Sequence, residues 1–151
     1  GMAAPNAGTL TVSVTPNLSV FDIGISAISF TGVDQVTPFG TAGSASGTSD
    51  APSVAVSSAS GELVLDSLLI VHSGTLTVGS GQTQRVKTNT GNGFIKYACS
   101  TEPGASSTTT RWSNSTSQAW AIAAVPVKPA AAGSFQAAWA IGANTIILGA
   151  A

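Results

Sequence analysis

The stretch GELVLDSLLIV, residues 61–71, is the most strand-like segment of the chain, and the other segments are expected to pack around it. One side of this segment, drawn as an extended chain, carries Leu63, Leu65, Leu69 and Val71. The other side carries Val64, Leu68 and Ile70, beside Glu62 and Asp66. Apolar residues on both faces predict a strand that is covered on both sides, as in the centre of a sandwich sheet. A leucine-rich run also suits a buried helix, but the flanking glycines and β-rich neighbours favour the strand.

The composition excludes several classes of partner. Only 7% of the 151 residues are charged, against roughly 25% in typical soluble domains, and the net charge is −1. The sequence contains no basic patch for nucleic acid and no apolar run near the ~18–20 residues that would span a bilayer. Its polar surface must consist of Ser, Thr, Asn, Gln and Gly, which is typical of β-rich extracellular and virion-surface modules. We therefore expect no nucleic-acid partner, no membrane insertion and a location outside the cell or on a virion.

The chain is long enough for one domain with a real core. Residues 1–8 are expected to be a flexible lead, in which Gly1 before Met2 resembles the scar of a removed tag. Residues 9–130 form the predicted β-sandwich domain. Residues 131–151 form a C-terminal tail that is expected to supply an added or exchanged strand.

Alternating apolar and polar residues predict strands throughout the central region, beginning with Thr9–Thr15 and Leu18–Phe30. Thr41–Asp50 is small, polar and glycine-rich, and it predicts an exposed connection. Gln82–Thr88 predicts a polar edge strand that is protected by its charges. The fold class is therefore all-β, an antiparallel β-sandwich of jelly-roll type with about eight strands. The residues predicted to be nearly fully buried are Leu63, Leu65, Leu69, Ile23, Ile25, Ile122 and Trp120.

The order of several blocks resembles a Ser/Thr-rich β-sandwich module that recurs in bacterial, phage-related and environmental-sequence proteins. The blocks are SFTGVDQVTPFG (29–40), SGELVLDSLLI (60–70), VGSGQTQR (78–85), STEPGASSTTTRW (100–112) and QAWAIAAVPVKPA (118–130). The resemblance covers roughly residues 8–130 and implies a module of large secreted or virion-attached proteins, without a defined activity. Such modules look longer at the N-terminus, as if this chain began inside the domain. A strand edge or an apolar face would then be uncovered, so we expect a homo-oligomer, with a dimer favoured.

Two aromatic residues are candidates for stacking on a sugar ring. Trp112 lies in a polar segment beside Arg111 and Ser113, and Tyr97 lies in a neighbouring predicted strand. Aromatic faces in such positions would bind a glycan, whereas core packing is the ordinary role of these residue types.

Asp34, in the loop sequence TGVDQ, is the best candidate for a metal ligand, because calcium favours loop carboxylates. The alternative is an Asx-turn in which Asp34 caps its own loop. His72 is the only histidine and Cys99 the only cysteine, so neither a zinc site nor an intrachain disulfide is expected. No cofactor is predicted.

These observations favour a non-enzymatic structural or adhesion module. A carbohydrate-binding module that uses Trp112 and Tyr97 is the alternative. A glycoside-processing enzyme comes third, because Glu62 and Asp66 lie four residues apart on one strand and suit neither carboxylate role.

Overall fold

The structure is a computed structural model, and it describes residues 13–15, 17, 24–71, 73–90 and 93–130. These residues contain eight strands and no helix. The strands are β1 (Gly43–Ser49), β2 (Ser53–Val56), β3 (Leu63–Val71), β4 (Leu76–Val78), β5 (Thr83–Asn89), β6 (Ile95–Pro103), β7 (Thr108–Asn114) and β8 (Gln118–Val127).

The strands form two antiparallel sheets, as in a sandwich. The larger sheet has the order β1-β8-β3-β6-β5 and the smaller one has the order β2-β7-β4. Strand β3 lies in the middle of the larger sheet, paired with β8 on one side and β6 on the other. The prediction that residues 61–71 form the central strand is therefore confirmed.

The core lies between the two sheets. In β3 the even-numbered residues Val64, Asp66, Leu68 and Ile70 are almost completely buried. Leu76 of β4, Ala98 of β6, Trp112 of β7 and Ile122 of β8 belong to the same buried region. Alternation along each strand gives this sheet an inner face toward the smaller sheet and an outer face that points away from it.

The predicted core faces of β3 are reversed in the structure. Leu63 and Leu65 are half-buried and Leu69 is 40% exposed, because all three lie on the outer face. Ile25 is 44% exposed and Trp120 is half-buried, whereas the burial of Ile122 is confirmed. Ile23 lies outside the described residues. Both faces of β3 are apolar, so alternation alone did not identify the face that the smaller sheet covers.

Three local predictions can also be compared with the structure. The polar segment that begins at Gln82 is confirmed as an edge strand, since β5 pairs only with β6 among the described strands. The expected connection over residues 41–50 is wrong, because β1 pairs with β8 along its whole length, from Gly43 opposite Ala124 to Ser49 opposite Gln118. The strand predicted for residues 18–30 is absent from its described part, residues 24–30. Thr9–Thr15 falls largely outside the described residues, and the tail 131–151 falls wholly outside them.

No helix in the described ranges has both the length and the apolar character needed to cross a membrane.

Candidate functional site

A buried carboxylate, that of Asp66, lies between the sheets at the middle of β3. Its Oδ1 atom accepts the backbone N–H of Ser100 at 2.8 Å. Its Oδ2 atom accepts the Ser100 hydroxyl at 2.7 Å, the Gln82 amide at 3.1 Å and the Trp112 indole N–H at 3.2 Å. Because Trp112 belongs to β7, the bond from its indole joins the two sheets. We call Asp66, Ser100, Gln82 and Trp112 the Asp66 cluster.

Burial raises the pKa of Asp66 above its ordinary value, since removal of water penalises the ionised form. The bonds from Ser100 and Trp112 act in the opposite direction because they stabilise the carboxylate. The position of this carboxylate between the sheets, among donors from three other residues, suits a structural role that holds the sandwich together.

The two predicted stacking residues are buried, so the prediction of an exposed aromatic platform is wrong. Trp112 is 2% exposed, because it lies on the inner face of β7 and its indole reaches Asp66. Tyr97 is 6% exposed, and its hydroxyl is hydrogen-bonded to Ser26. The segment that contains Gly24 lies against the Tyr97 side chain. Neither ring offers a face to a sugar.

Asp34 caps its own loop, as the alternative interpretation proposed. Its Oδ1 atom accepts the backbone N–H groups of Val36 at 2.8 Å and of Thr37 at 2.9 Å. These backbone bonds, that from Thr37 first, lower the pKa of Asp34. No group of three His, Cys, Asp or Glu side chains that could hold a metal ion occurs within the described residues. The arrangement is an Asx-turn, and the structure gives no support to a metal at Asp34.

Cys99 is buried on the outer face of the larger sheet, and His72 lies outside the described residues. Burial raises the pKa of the Cys99 thiol to about 12, and the negative charge of Asp66 adds to this effect. The thiol is therefore protonated at neutral pH, which makes it a poor nucleophile and a poor metal ligand.

An open groove along strand β7 and the neighbouring β6–β7 connection is the best candidate for a contact site. It consists of two adjoining pockets, of about 400 and 250 Å³, that share Thr109 and Arg111 as lining residues. Serine and threonine hydroxyls supply much of the remaining polar lining, at Ser53, Ser113, Ser80, Ser107 and Thr108. We call this feature the Arg111 groove.

The backbone at Arg111 is held by the turn between β4 and β5. The N–H of Arg111 donates to the Gln82 side-chain oxygen at 2.7 Å, and its carbonyl accepts the N–H of Gly79 at 2.9 Å. A Cβ atom on Gly79 would lie 2.5 Å from the Arg111 Cγ atom, so only glycine allows this approach. Gln82 also donates to Asp66, which connects the groove to the Asp66 cluster.

Glu102 brings a carboxylate to the second pocket of the Arg111 groove. Partial burial raises the pKa of Glu102, while the positive charge of Arg111 opposes that rise. The groove therefore combines one exposed guanidinium, one carboxylate and a set of neutral hydroxyls. Such a surface can form hydrogen bonds with a polar ligand through several weak contacts.

Sequence reasoning found Arg111 only as a neighbour of Trp112 and did not find the groove. The sequence did contain a signal for the groove, the predicted strand STTTRWS at residues 107–113, which carries hydroxyl-bearing side chains on both of its faces. Alternation would have placed Thr109, Arg111 and Ser113 on one face and Trp112 on the other.

Comparisons with protein-family models, with curated proteins and with solved structures find no match for this chain.

Proposed function

We propose that this protein is a non-enzymatic structural or adhesion module of a secreted or virion-attached protein, and that the Arg111 groove is its contact surface. The observation that carries the proposal is the groove itself, an open depression along β7 in which the Arg111 side chain and several serine and threonine residues line both pockets. The resemblance of the block order to modules of large secreted and virion-attached proteins supports the same role. The sandwich is inferred to be of jelly-roll type, supported by the pairing of the distant strands β1 and β8.

The hydrogen bonds that hold the groove backbone support a role in contact. The Gln82 side chain is hydrogen-bonded both to the buried carboxylate of Asp66 and to the backbone N–H of Arg111, so it connects the groove backbone to the interior between the sheets. A preformed surface loses little conformational entropy when it binds, which favours adhesion through many weak contacts.

A carbohydrate-binding module is the second candidate, and the hydroxyl-rich lining of the groove favours it. In this arrangement Arg111 and Glu102 would bind sugar hydroxyls, since Trp112 and Tyr97 are buried. The proposed ligand contacts are thus polar, and aromatic stacking is not part of them.

The test is retention of the labelled full chain on a glycan array and on protein-coated beads. Arg111→Ala is expected to reduce retention by about tenfold or more, because it removes the planar donor shared by both pockets. Lys128→Ala is the matched control, since it removes the same charge just after β8 and Lys128 does not line either pocket. Retention on glycans alone would favour the carbohydrate-binding role. Equal retention of the two variants, or no retention on any surface, would contradict adhesion through the groove.

A further inference from the structure

Within the described residues the two sheets end in four edge strands, and three of these carry features that oppose the addition of another strand. Strand β2 has 4 residues and β4 has 3, so each offers few backbone groups for pairing. Strand β5 carries Arg85 and Lys87, and its register with β6 shifts between Gln84 and Val86. Charged side chains and an irregular register both protect a sheet edge.

Strand β1, the fourth edge, has none of these features. Its 7 residues, GSASGTS, include no charged residue and no proline. Its register with β8 is continuous from Gly43 to Ser49, and residues 46–48 are exposed. In the part of the chain that the structure describes, β8 is the only strand that pairs with β1. The side of β1 that faces away from β8 is therefore a row of backbone N–H and C=O groups that another strand can pair with.

The side chains of β1 are small, from glycine to threonine. Ala45 lies opposite the buried Ile122 and so belongs to the inner face of the sheet. The alternate residues Ser44, Ser46 and Thr48 lie on the outer face, and all three are exposed. A peptide that adds to a sheet edge gains affinity from backbone hydrogen bonds and specificity from side-chain pockets. No β1 residue lines either pocket of the Arg111 groove, so this edge favours a partner strand whose own side chains are equally small.

The β1 strand of a second copy meets this requirement. In antiparallel pairing about a two-fold axis at Ser46, that residue lies opposite its own copy, and Ser44 lies opposite Thr48 of the partner subunit. Neither copy brings a charged side chain to the contact, so no like charges meet, and the serine and threonine hydroxyls can bond across the strands. The pairing occupies the unprotected edge of both copies and leaves the protected strand β5 at each end of the joined sheet.

We propose that β1 is a dimer interface, through which two copies of the chain join their five-stranded sheets into one continuous antiparallel sheet. Pairing of β1 with β5 of another copy would leave unpaired edges and continue without closure, and the charges of Arg85 and Lys87 oppose it. The homo-oligomer predicted from the sequence would form through the β1 edge. This edge is separate from the Arg111 groove, and it pairs in the same way whatever the groove binds.

Light scattering coupled to size-exclusion chromatography, over a range of protein concentrations, measures the association of the full chain. The wild-type chain is expected to reach twice its monomer mass and no more. Ser46→Lys places a lysine opposite its own copy at the two-fold axis, so the dissociation constant of the dimer is expected to rise by about tenfold or more. Ser67→Lys is the matched control, because Ser67 is an exposed serine on the outer face of the central strand β3. This control is expected to leave the dissociation constant unchanged.

Ser46→Cys tests the pairing directly and keeps the side chain small. Residues that lie opposite each other in an antiparallel pair have Cα atoms about 4.5–5.5 Å apart, which a disulfide can bridge. Mild oxidation is expected to link two copies of Ser46→Cys, whereas Ser67→Cys is expected to stay unlinked. The native Cys99 is buried and is expected to stay unlinked in both variants.

The proposal is overturned if the wild-type chain stays a monomer at all concentrations or grows beyond a dimer. Equal weakening of the dimer by Ser46→Lys and Ser67→Lys would place the contact on the outer face instead of the edge. Absence of a linked dimer in Ser46→Cys would exclude the two-fold pairing at Ser46. A dimer that is weakened only by Ser46→Lys and linked only in Ser46→Cys supports the proposal. Cooperative unfolding in urea, followed by tryptophan fluorescence, shows whether each variant is folded.

Discussion

Substitution of Asp66 tests whether the buried carboxylate holds the two sheets together. Asp66→Ala removes the acceptor for the Ser100 backbone N–H and for the Trp112 indole, both of which lie in the core. Each buried donor left without an acceptor costs about 1–3 kcal/mol. The free energy of unfolding is therefore expected to fall by roughly 3–5 kcal/mol, the usual range for breaking a buried polar network.

Asp66→Asn is the milder variant, because the amide keeps one oxygen and nearly the same shape. The NH₂ group of asparagine donates and cannot accept a hydrogen bond. It would face either the Ser100 N–H or the donors around Oδ2, so at least one hydrogen bond must be lost. The change also removes the cost of burying a charge, and we expect a loss of about 1–3 kcal/mol. Urea unfolding followed by tryptophan fluorescence at pH 7 measures both variants.

The pH dependence gives a second, independent measurement. The pKa of Asp66 is raised from 3.8 in the folded chain, so the unfolded chain releases this proton at a lower pH than the folded chain does. Between the two pKa values the folded state binds more protons, and the wild-type chain loses stability as pH rises through this interval. The stability difference between wild type and Asp66→Asn should therefore be larger at pH 3 than above the interval, while contributions from other carboxyls cancel. A loss below about 0.5 kcal/mol for Asp66→Ala would refute the structural role of the cluster.

Three further predictions concern single side chains. Leu68→Ala is expected to lower the free energy of unfolding by about 2–5 kcal/mol, because Leu68 is completely buried. The control Ser67→Ala, at an exposed neighbouring position, should change it by less than about 0.5 kcal/mol, and equal urea midpoints for the two variants would contradict the assigned inner face of β3. Gly79→Ala is expected to lower the free energy of unfolding by about 1–3 kcal/mol, measured by heat or urea, since the new Cβ would lie 2.6 Å from the Arg111 carbonyl oxygen. An unchanged free energy of unfolding would show that the β4–β5 turn can move. Cys99 is expected not to react with a thiol reagent at pH 8 in the folded chain, because the thiol is buried and burial raises its pKa to about 12. It should react once the chain is unfolded in urea. Rapid reaction before unfolding would contradict its burial.

Strands β3 and β5 show what the sequence by itself determined. The uninterrupted apolar run Leu68–Val71 requires neighbours on both sides, and the structure pairs β3 with β8 and β6. The polar segment with Arg85 and Lys87 belongs at an edge, because charges there discourage further strand pairing, and β5 lies at an edge. Both outcomes follow from local composition, because an apolar strand is stable when strands cover it on both sides, whereas a charged strand is stable at an edge that water reaches.

Strand β1 and the Arg111 groove show what local composition could not decide. The sequence GSASGTS has the glycine and serine content of a loop, yet it forms a strand because the register with β8 satisfies its backbone. Thr109 and Arg111 form a groove only because the β4–β5 turn and the β6–β7 connection lie beside β7.

The sequence by itself determined the all-β class and the central place of β3, since both depend on the period and length of its apolar segments. Only the tertiary structure decided which face of β3 is the core. Leu63, Leu65 and Leu69 look more apolar than a face that carries Asp66, yet the Asp66 face is the buried one. Ser100 on the same sheet, Gln82 in the turn before β5 and Trp112 on the opposing sheet supply the donors that make burial of this carboxylate possible. These partners lie 16 to 46 residues away along the chain, so their contribution arises only when the sheets assemble.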